Sequence, residues 1–229
     1  MKNINKNEKD YVQIIYNEHD RPLTSYPNKL TRYLFDNYIK KNDLKLLDVG
    51  CGRGEFLNGF LNCGLDCFGV DQSKTSKMYN KSINLKLVNL ETDPLPHKDN
   101  FFDVVFSKSV LEHFHKPELL VKEMHRVLKP GGTIITLCPD WYYNYRIYFE
   151  DYTHRTPFMK SSLRDIHLIN GFERVNVMYF RQLPFLWEYP VFTMFAEITR
   201  LLLPEFMKPY SKWIRFSKEI MLLSVAKKI

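Results

Sequence analysis

Three alternate glycines, Gly50, Gly52 and Gly54, follow an apolar run and precede a helical pattern that begins at Glu55. Glycine lets a backbone turn sharply and approach a ligand closely, and the N–H groups at a helix start face a polar ligand. The G-x-G-x-G spacing differs from the G-x-G-x-x-G loop that holds pyrophosphate in dinucleotide enzymes. Asp48, directly before the glycines, disfavours pyrophosphate. The segment predicts a ligand that brings an ammonium group or a water network to that carboxylate.

A second carboxylate, Asp71, ends the next predicted strand, 17 residues after Gly54. In nucleoside-binding α/β folds a carboxylate at this place accepts two hydrogen bonds from ribose hydroxyls. The alternative is an N-cap or loop aspartate with a purely structural role. Because Asp71 is in register with the glycine loop, we expect it to bind ribose.

A polar loop in the second half of the chain holds candidates for chemistry on an acceptor. It contains Asp151, Tyr152, His154 and Arg155. Histidine is the side chain that is readily neutral near pH 7 and can then accept a proton. We therefore predict His154 as a general base that Asp151 orients, and Tyr152 and Arg155 as acceptor contacts. The alternative is a histidine that only orders its own loop.

A shorter motif, Val110 to Phe114, contains Glu112 and His113. We expect Glu112 to contact the acceptor and His113 to be the reserve base. Alternatively, both side chains fix the local loop. The sequence shows no metal-ligand spacing, so no metal is predicted. The cysteines form no paired pattern and are expected to be buried free thiols, as is usual in a reducing compartment, at positions Cys51, Cys63, Cys67 and Cys138.

The elements that position these residues follow from hydrophobic periodicity. Strands and helices alternate, which indicates a doubly wound parallel sheet whose ligand crevice lies at the strands' carboxyl ends. The predicted strands are 44–49, 66–70, 85–88, 102–106, 133–137, 172–180 and 219–226. The predicted helices are 29–39, 55–62, 117–128 and 160–170. Lys129-Pro-Gly-Gly132 is expected to end the third of these helices as a breaker.

Taken together, the glycine loop, Asp71, Asn89-Leu-Glu91, Phe102 to Ser107 and Val127 to Gly132 resemble class I S-adenosylmethionine (SAM) dependent methyltransferases, closest to the type 11 domain group. The resemblance implies a Rossmann-like seven-stranded sheet of order 3-2-1-4-5-7-6 with strand 7 antiparallel. The residue pattern adds a helical N-terminal segment and a cap between the last two strands. It implies SAM as cofactor and S-adenosylhomocysteine as product.

The resemblance also implies roles for single residues. Asp48 and Gly50 would lie near the methionine ammonium group. Asn89, which stands where the family commonly has Asp, would meet the adenine amino group, and the backbone of Leu90 the ring edge. Ser107 would offer a carbonyl to the methionine part. The remaining residues expected to bind the cofactor are Cys51, Gly52, Gly54, Asp71 and Gln72.

A weaker resemblance, of the Asp-x-Thr-His-x-x-Pro-Phe segment, is to methyltransferases of bacterial glycan gene clusters. It implies methylation of a hydroxyl on a sugar, a nucleotide sugar or another surface-glycan precursor. The alternatives are a lipid or quinone precursor as acceptor, and a SAM-binding partner protein without catalysis. The resemblance leaves the acceptor, the methylated atom and the oligomeric state open.

Composition limits the partners. The net charge is +7, and residues 198–229 hold seven basic against two acidic residues, but no nucleic-acid module accompanies them, so no nucleic-acid partner is predicted. The first 20 residues are polar and carry no signal segment, which predicts a cytoplasmic protein. Aromatic residues crowd 181–217, which we expect to pack on the acceptor pocket, on a second subunit or on the inner face of a membrane.

The chain is thus expected to contain a helical N-terminal segment (1–43), a SAM-binding core (44–140), an acceptor loop with helix and strand 6 (141–180), an aromatic cap insertion (181–217) and strand 7 (218–229).

Overall fold

The computed structural model describes residues 18–19, 22–79 and 84–229. The polar start of the chain, on which the signal-segment prediction rests, lies almost wholly outside the described residues, as does the first part of segment 1–43. The strands are β1 (Lys45–Val49), β2 (Asp66–Asp71), β3 (Asn84–Leu87), β4 (Phe102–Lys108), β5 (Leu128–Pro139), β6 (Phe172–Arg181) and β7 (Ile220–Lys228). The α-helices are α1 (Tyr26–Leu34), α2 (Glu55–Leu61), α3 (Lys74–Tyr79), α4 (Pro117–Val127), α5 (Trp141–Asn144), α6 (Lys160–Ile169), α7 (Pro184–Glu188), α8 (Thr193–Leu202) and α9 (Lys212–Lys218).

The strands form one sheet of order β3-β2-β1-β4-β5-β7-β6. Strands β1 to β5 are parallel, whereas β7 runs antiparallel to both β5 and β6. The predicted fold class is therefore confirmed. The carboxyl ends of β1, β2 and β4 meet at one edge, which is where ligands bind in sheets of this kind.

Helices cover both faces of the sheet because strand side chains alternate between them. Leu46 belongs to the core layer that also contains Leu30 of α1 and Leu57 of α2. Its neighbour Leu47 belongs to the opposite layer, with Met124 of α4. Helix α4 starts at a proline, the residue best suited to a first helical position, and buries a stripe at helical spacing: Leu120, Val121, Met124 and Val127.

One boundary differs from the sequence prediction. Helix α4 does end before Lys129, but the strand that follows begins at Leu128 rather than at Thr133. The register shifts between the pairs Phe102–Leu128 and Val104–Thr133, and Gly131 has a φ of 78°. Gly131 thus allows an irregularity inside an extended segment, because glycine tolerates this φ without strain.

The cap insertion between β6 and β7 is mostly helical. Its Trp187 packs on Phe180 of β6, at 5.1 Å between ring centroids, and on Tyr33 of α1, at 5.0 Å. By contrast, Phe185 and Phe195 are each about half exposed. No helix in the described ranges is both long and apolar enough to cross a membrane. All four cysteines are buried and free, as predicted.

Candidate functional site

The glycine loop follows β1 directly, and its three glycines all have positive φ, at 78°, 50° and 75° for Gly50, Gly52 and Gly54. Gly54 is the residue before the first turn of α2. A Cβ atom at Gly50 would lie 2.4 Å from Cγ2 of Val110, whereas one at Gly52 would meet nothing within 4 Å. The loop is therefore packed against Val110 at Gly50, whereas at Gly52 a ligand can approach the backbone.

The Asp71 carboxylate is hydrogen-bonded to the backbone of this loop. Its Oδ2 accepts a hydrogen bond from the Gly52 N–H at 2.7 Å, and its Oδ1 accepts one from the Ser73 N–H at 2.8 Å. The residue is completely buried. The carboxylate thus holds the backbone of the loop, and its binding to ribose hydroxyls stays a prediction. Its neighbour Gln72 lines the adjoining cavity.

Asp48 is the carboxylate that does line that cavity. It is 2% exposed, and its Oδ2 has no hydrogen-bond partner among the described residues. Burial, together with the negative charge of Asp71, raises the pKa of Asp48 well above its ordinary value. A buried carboxylate without a partner is costly, and a ligand cation would satisfy it. This observation fits the ammonium group of a bound amino-acid moiety.

The cavity beside the glycine loop has a volume of about 680 Å³. The predicted cofactor residues that line it are Asp48, Gly50, Cys51, Gly52, Gln72 and Leu90. Asn89 is exposed, and its amide oxygen accepts from the Glu91 N–H at 3.0 Å, which forms a local turn; its contact with adenine stays a prediction. The buried Ser107 hydroxyl donates to the Val49 carbonyl and ties β4 to β1. Glu91, which the sequence analysis left without a role, also lines the cavity.

A second cavity of about 620 Å³ adjoins the first. Both cavities are lined by Lys108, Ser109, His113, Asp151, Gln182 and Arg215. The predicted acceptor residues Glu112, Tyr152 and His154 line the second cavity, while Arg155 lines the first. The structure therefore brings the polar loop and the Val110–Phe114 motif together where the two cavities meet. Gln182 and Arg215 lie at the two ends of the cap insertion and belong to no motif.

Asp151 was predicted to orient His154, but His154 and His113 both have other hydrogen-bond partners in the structure. The Nδ1 atom of His154 lies 2.5 Å from the Tyr148 carbonyl, so Asp151 is not the group that orients it. Asp151 instead accepts from the Thr153 hydroxyl at 2.5 Å, and that hydroxyl oxygen lies 2.8 Å from Nδ1 of His113. Asp151 therefore orients His113, the predicted reserve base, through the Thr153 hydroxyl.

These partners fix the tautomer of both rings. A carbonyl oxygen only accepts, so Nδ1 of His154 must donate. The Thr153 hydroxyl gives its hydrogen to the carboxylate of Asp151, so its oxygen accepts from Nδ1 of His113. Each neutral ring then carries its lone pair on Nε2. Burial, followed by the charge of His154, lowers the pKa of His113, which favours its neutral form.

Glu112 completes the cluster. It is 1% exposed, and its Oε2 has no hydrogen-bond partner within the described part of the chain. Burial raises the pKa of its carboxyl to about 8. Its backbone carbonyl accepts from the N–H groups of Arg155 and Thr156, which fastens the polar loop to this turn. One ligand atom each from Glu112, His113 and His154 lies within 4.8 Å of the other two.

Comparison with known proteins agrees with this geometry. A family model described as a methyltransferase domain matches residues 47–136. A ubiquinone biosynthesis O-methyltransferase of Pelagibacter ubique is 29% identical over 127 residues, which are 49% of this chain and 53% of that protein. A ubiquinone/menaquinone biosynthesis C-methyltransferase of Neisseria meningitidis is 29% identical over 114 residues, 44% of each chain. The chain thus spans about half the length of these curated relatives.

The fold extends the likeness beyond the matched segment. The crystal structure of a SAM-dependent methyltransferase from Archaeoglobus fulgidus superposes with a TM-score of 0.68 at 22% identity. The superposition covers 96% of this chain and all of that one. Residues 47–136 contain the glycine loop, Asp48, Asp71 and the Val110–Phe114 motif. This segment therefore matches a methyltransferase domain model, and the chain has the fold of a SAM-dependent methyltransferase.

Proposed function

We propose that the chain transfers the methyl group of SAM to a hydroxyl of a small polar acceptor, with a sugar, a nucleotide sugar or another surface-glycan precursor as the first choice. The observation that carries the proposal is the junction of two cavities that share six lining residues. One cavity carries the glycine loop, and the other carries the polar loop. An acceptor in the second cavity would lie next to a cofactor in the first.

The residues of the first cavity suit SAM. Asp48 offers its partnerless carboxylate oxygen to the ammonium group, and the open backbone at Gly52 allows close approach. Leu90 and Gln72 also line this cavity, and we propose that they contact the nucleoside part. Bound SAM supplies an electrophilic methyl group on a positively charged sulfur. Alignment of that group with the acceptor oxygen contributes much of the rate enhancement in such displacements.

The imidazole of His154 is proposed to take the hydroxyl proton on Nε2, with His113 as the alternative base. As the proton leaves, the acceptor oxygen bonds to the methyl carbon, and the electron pair of the carbon–sulfur bond remains on sulfur. The Tyr148 carbonyl keeps the Nε2 lone pair available, because it holds the proton of the ring on Nδ1. A positioned base of this kind contributes on the order of 10²–10⁴-fold.

A third cavity supports an acceptor that carries negative charge. It has a volume of about 530 Å³ and shares Asn144 and Ile147 with the acceptor cavity. Its charged lining residues are Arg146, Arg200, Lys208, Lys218 and Glu205. Glu205 pairs with both lysines and Arg200 pairs with Glu197, so the lining carries an excess of positive charge. A sugar hydroxyl in the acceptor cavity would leave a phosphate or diphosphate group within reach of these cations. This charge balance favours a nucleotide sugar or a lipid-linked sugar phosphate over a neutral sugar.

A second candidate acceptor is a lipid or quinone precursor, and the exposed apolar surface of the cap favours it. The most exposed apolar side chains of the cap are Val191, Met194, Leu201, Leu202 and Phe206, each more than 60% exposed. Exposed apolar side chains that are concentrated in one segment are typical of a contact surface. We propose that it contacts the inner face of a membrane from the cytoplasmic side. Flotation with anionic liposomes tests this contact, and light scattering identifies the alternative, a homodimer through the same surface.

A methyl-transfer assay with labelled SAM over a panel of sugar nucleotides, sugar phosphates and quinone precursors tests the proposal. We expect transfer to a phosphate-bearing sugar, and an about 100-fold lower single-turnover rate for His154→Gln with nearly unchanged SAM affinity. His125→Gln, on α4 and away from all three cavities, is the matched control and should react like the wild type. SAM binding without transfer to any acceptor would favour the third alternative, a non-catalytic partner protein.

A further inference from the structure

The cluster of Glu112, His113 and His154 has a composition that a base alone does not require. Glu112 is almost fully buried, and one of its carboxylate oxygens lacks a hydrogen-bond partner among the residues that the structure describes. A buried ionised carboxylate in that state is destabilising unless it takes up a proton or a cation satisfies it. All three side chains line the acceptor cavity. Their ligand atoms lie within 4.8 Å of one another.

The hydrogen bonds around the histidines prepare both rings as ligands. In both rings the Nδ1 proton is donated, in His154 to the Tyr148 carbonyl and in His113 to the Thr153 hydroxyl that Asp151 holds. Metal-ligating histidines typically donate their other ring N–H to a carbonyl or carboxylate in this way. Both Nε2 lone pairs therefore remain for coordination.

Two imidazoles and one carboxylate are a donor set that suits divalent first-row transition metals such as Zn²⁺ or Fe²⁺. Three protein ligands leave further coordination positions open for a substrate oxygen. Ligand atoms that share one ion at about 2.1 Å stand roughly 3–3.5 Å apart. The ligand atoms of the three residues lie within 4.8 Å of one another, so the side chains must move closer together to share one ion. The sequence did not predict this set, because Glu112 and His113 are 41 or more positions away from His154.

We propose that Glu112, His113 and His154 bind one divalent transition-metal ion, which in turn holds the acceptor's hydroxyl oxygen at the junction of the two cavities. The role of the ion rests on the proposed methyl transfer, whereas the ion site itself does not. With the ion bound, the two imidazoles are ligands, and the ion replaces the free base. It lowers the pKa of the bound hydroxyl so that the proton leaves to water in the cavity.

Titration of the metal-stripped full-length chain with Co²⁺ tests the site, because the visible absorption of Co²⁺ reports its ligands. We expect one Co²⁺ per chain, and Zn²⁺ should displace it. Glu112→Gln and His154→Gln should each weaken Co²⁺ binding by about 100-fold or more. Thr153→Val, which removes the partner of His113 Nδ1, should weaken it by about 10-fold. His125→Gln is the matched control and should bind like the wild type.

The outcomes separate this inference from the proposed function. A wild-type chain that shows no Co²⁺ spectrum overturns the metal site and leaves the imidazole base in place. Binding that survives both Glu112→Gln and His154→Gln also overturns it. Thermal unfolding and SAM titration check that each variant is folded, and His154→Gln remains informative if the Glu112 variant is not. Methyl transfer that a chelator abolishes and Zn²⁺ restores supports the ion's role. Ion binding without any methyl transfer supports the site and counts against the proposed function.

Discussion

The cofactor cavity and the acceptor cavity differ in whether backbone or side chains shape them. The cofactor cavity depends on backbone, with three glycines of positive φ and a buried Asp71 that holds the Gly52 N–H. The acceptor cavity depends on side chains that come from four separate parts of the chain, namely 108–113, 139–154, Gln182 and 215–221. A site made from consecutive backbone has to be encoded locally, whereas a site made from converging loops does not. The first is general to a fold, and the second is where specificity resides.

The largest effect is expected from a substitution in the glycine loop of the cofactor cavity, the half of the site that depends on backbone. In Gly50→Ala the new Cβ would lie 2.4 Å from Cγ2 of Val110, at a φ of 78° that disfavours any L residue. Strained φ and overpacking together should lower the free energy of unfolding by about 2–5 kcal/mol. SAM affinity should fall with it, because the loop must shift. Chemical denaturation and calorimetry measure the two effects.

Gly131→Ala is the matched control for that substitution. Gly131 has the same φ of 78°, but its Cβ would meet nothing within 4 Å. Only the cost of the φ remains, about 1–2 kcal/mol, and SAM affinity should stay at the wild-type value. Adding Val110→Ala to Gly50→Ala should recover part of the loss. If the two glycine variants lost equal stability, packing at Gly50 would not be what shapes the loop.

An intermediate effect is expected at Asp48, where cofactor binding and stability should separate. Asp48→Asn removes the negative charge that faces the cofactor's ammonium group, and SAM should bind about 10–100-fold more weakly, or roughly 1.5–3 kcal/mol. The unfolding free energy without SAM should not fall at neutral pH, since the variant no longer buries a charge beside Asp71. Equal losses of affinity and stability would mean that Asp48 is a structural residue.

The raised pKa of Asp48 also predicts how the stability difference between the wild type and Asp48→Asn changes with pH. Burial and the charge of Asp71 raise the pKa of Asp48 in the folded state. The folded wild type therefore holds the proton more tightly than the unfolded chain does, and it gains stability as pH falls from the folded-state pKa towards the ordinary aspartate value. Any stability advantage of Asp48→Asn should accordingly shrink over that window. An advantage that grew on acidification would contradict the raised pKa.

The contrast between the halves also explains what the sequence could predict. The alternation of strands and helices and the glycine loop could be predicted from local patterns in consecutive residues. The order of the strands in the sheet was predicted from the family resemblance. The hydrogen bond between the Asp71 carboxylate and the Gly52 N–H could not be predicted, because an aspartate at this position suits a bond to the loop backbone as well as one to ribose. The partners of His113 and His154 depend on how loops fold onto each other. No spacing encodes a Thr153 hydroxyl or a Tyr148 carbonyl as such a partner.

The smallest expected effect concerns the link between the two halves. The Thr156 hydroxyl donates to the Phe114 carbonyl at 2.7 Å, beside the two N–H bonds that Arg155 and Thr156 make to the Glu112 carbonyl. Thr156→Val removes one of these three bonds and should cost about 0.5–1.5 kcal/mol, while Thr156→Ser keeps the hydroxyl and serves as the control. Because the bond fastens the acceptor loop, we expect faster hydrogen exchange at residues 151–156 and weaker acceptor binding, with SAM affinity unchanged. Equal weakening of SAM and acceptor binding would show that the loop supports both cavities, and the division into a backbone-built half and a side-chain-built half would then fail.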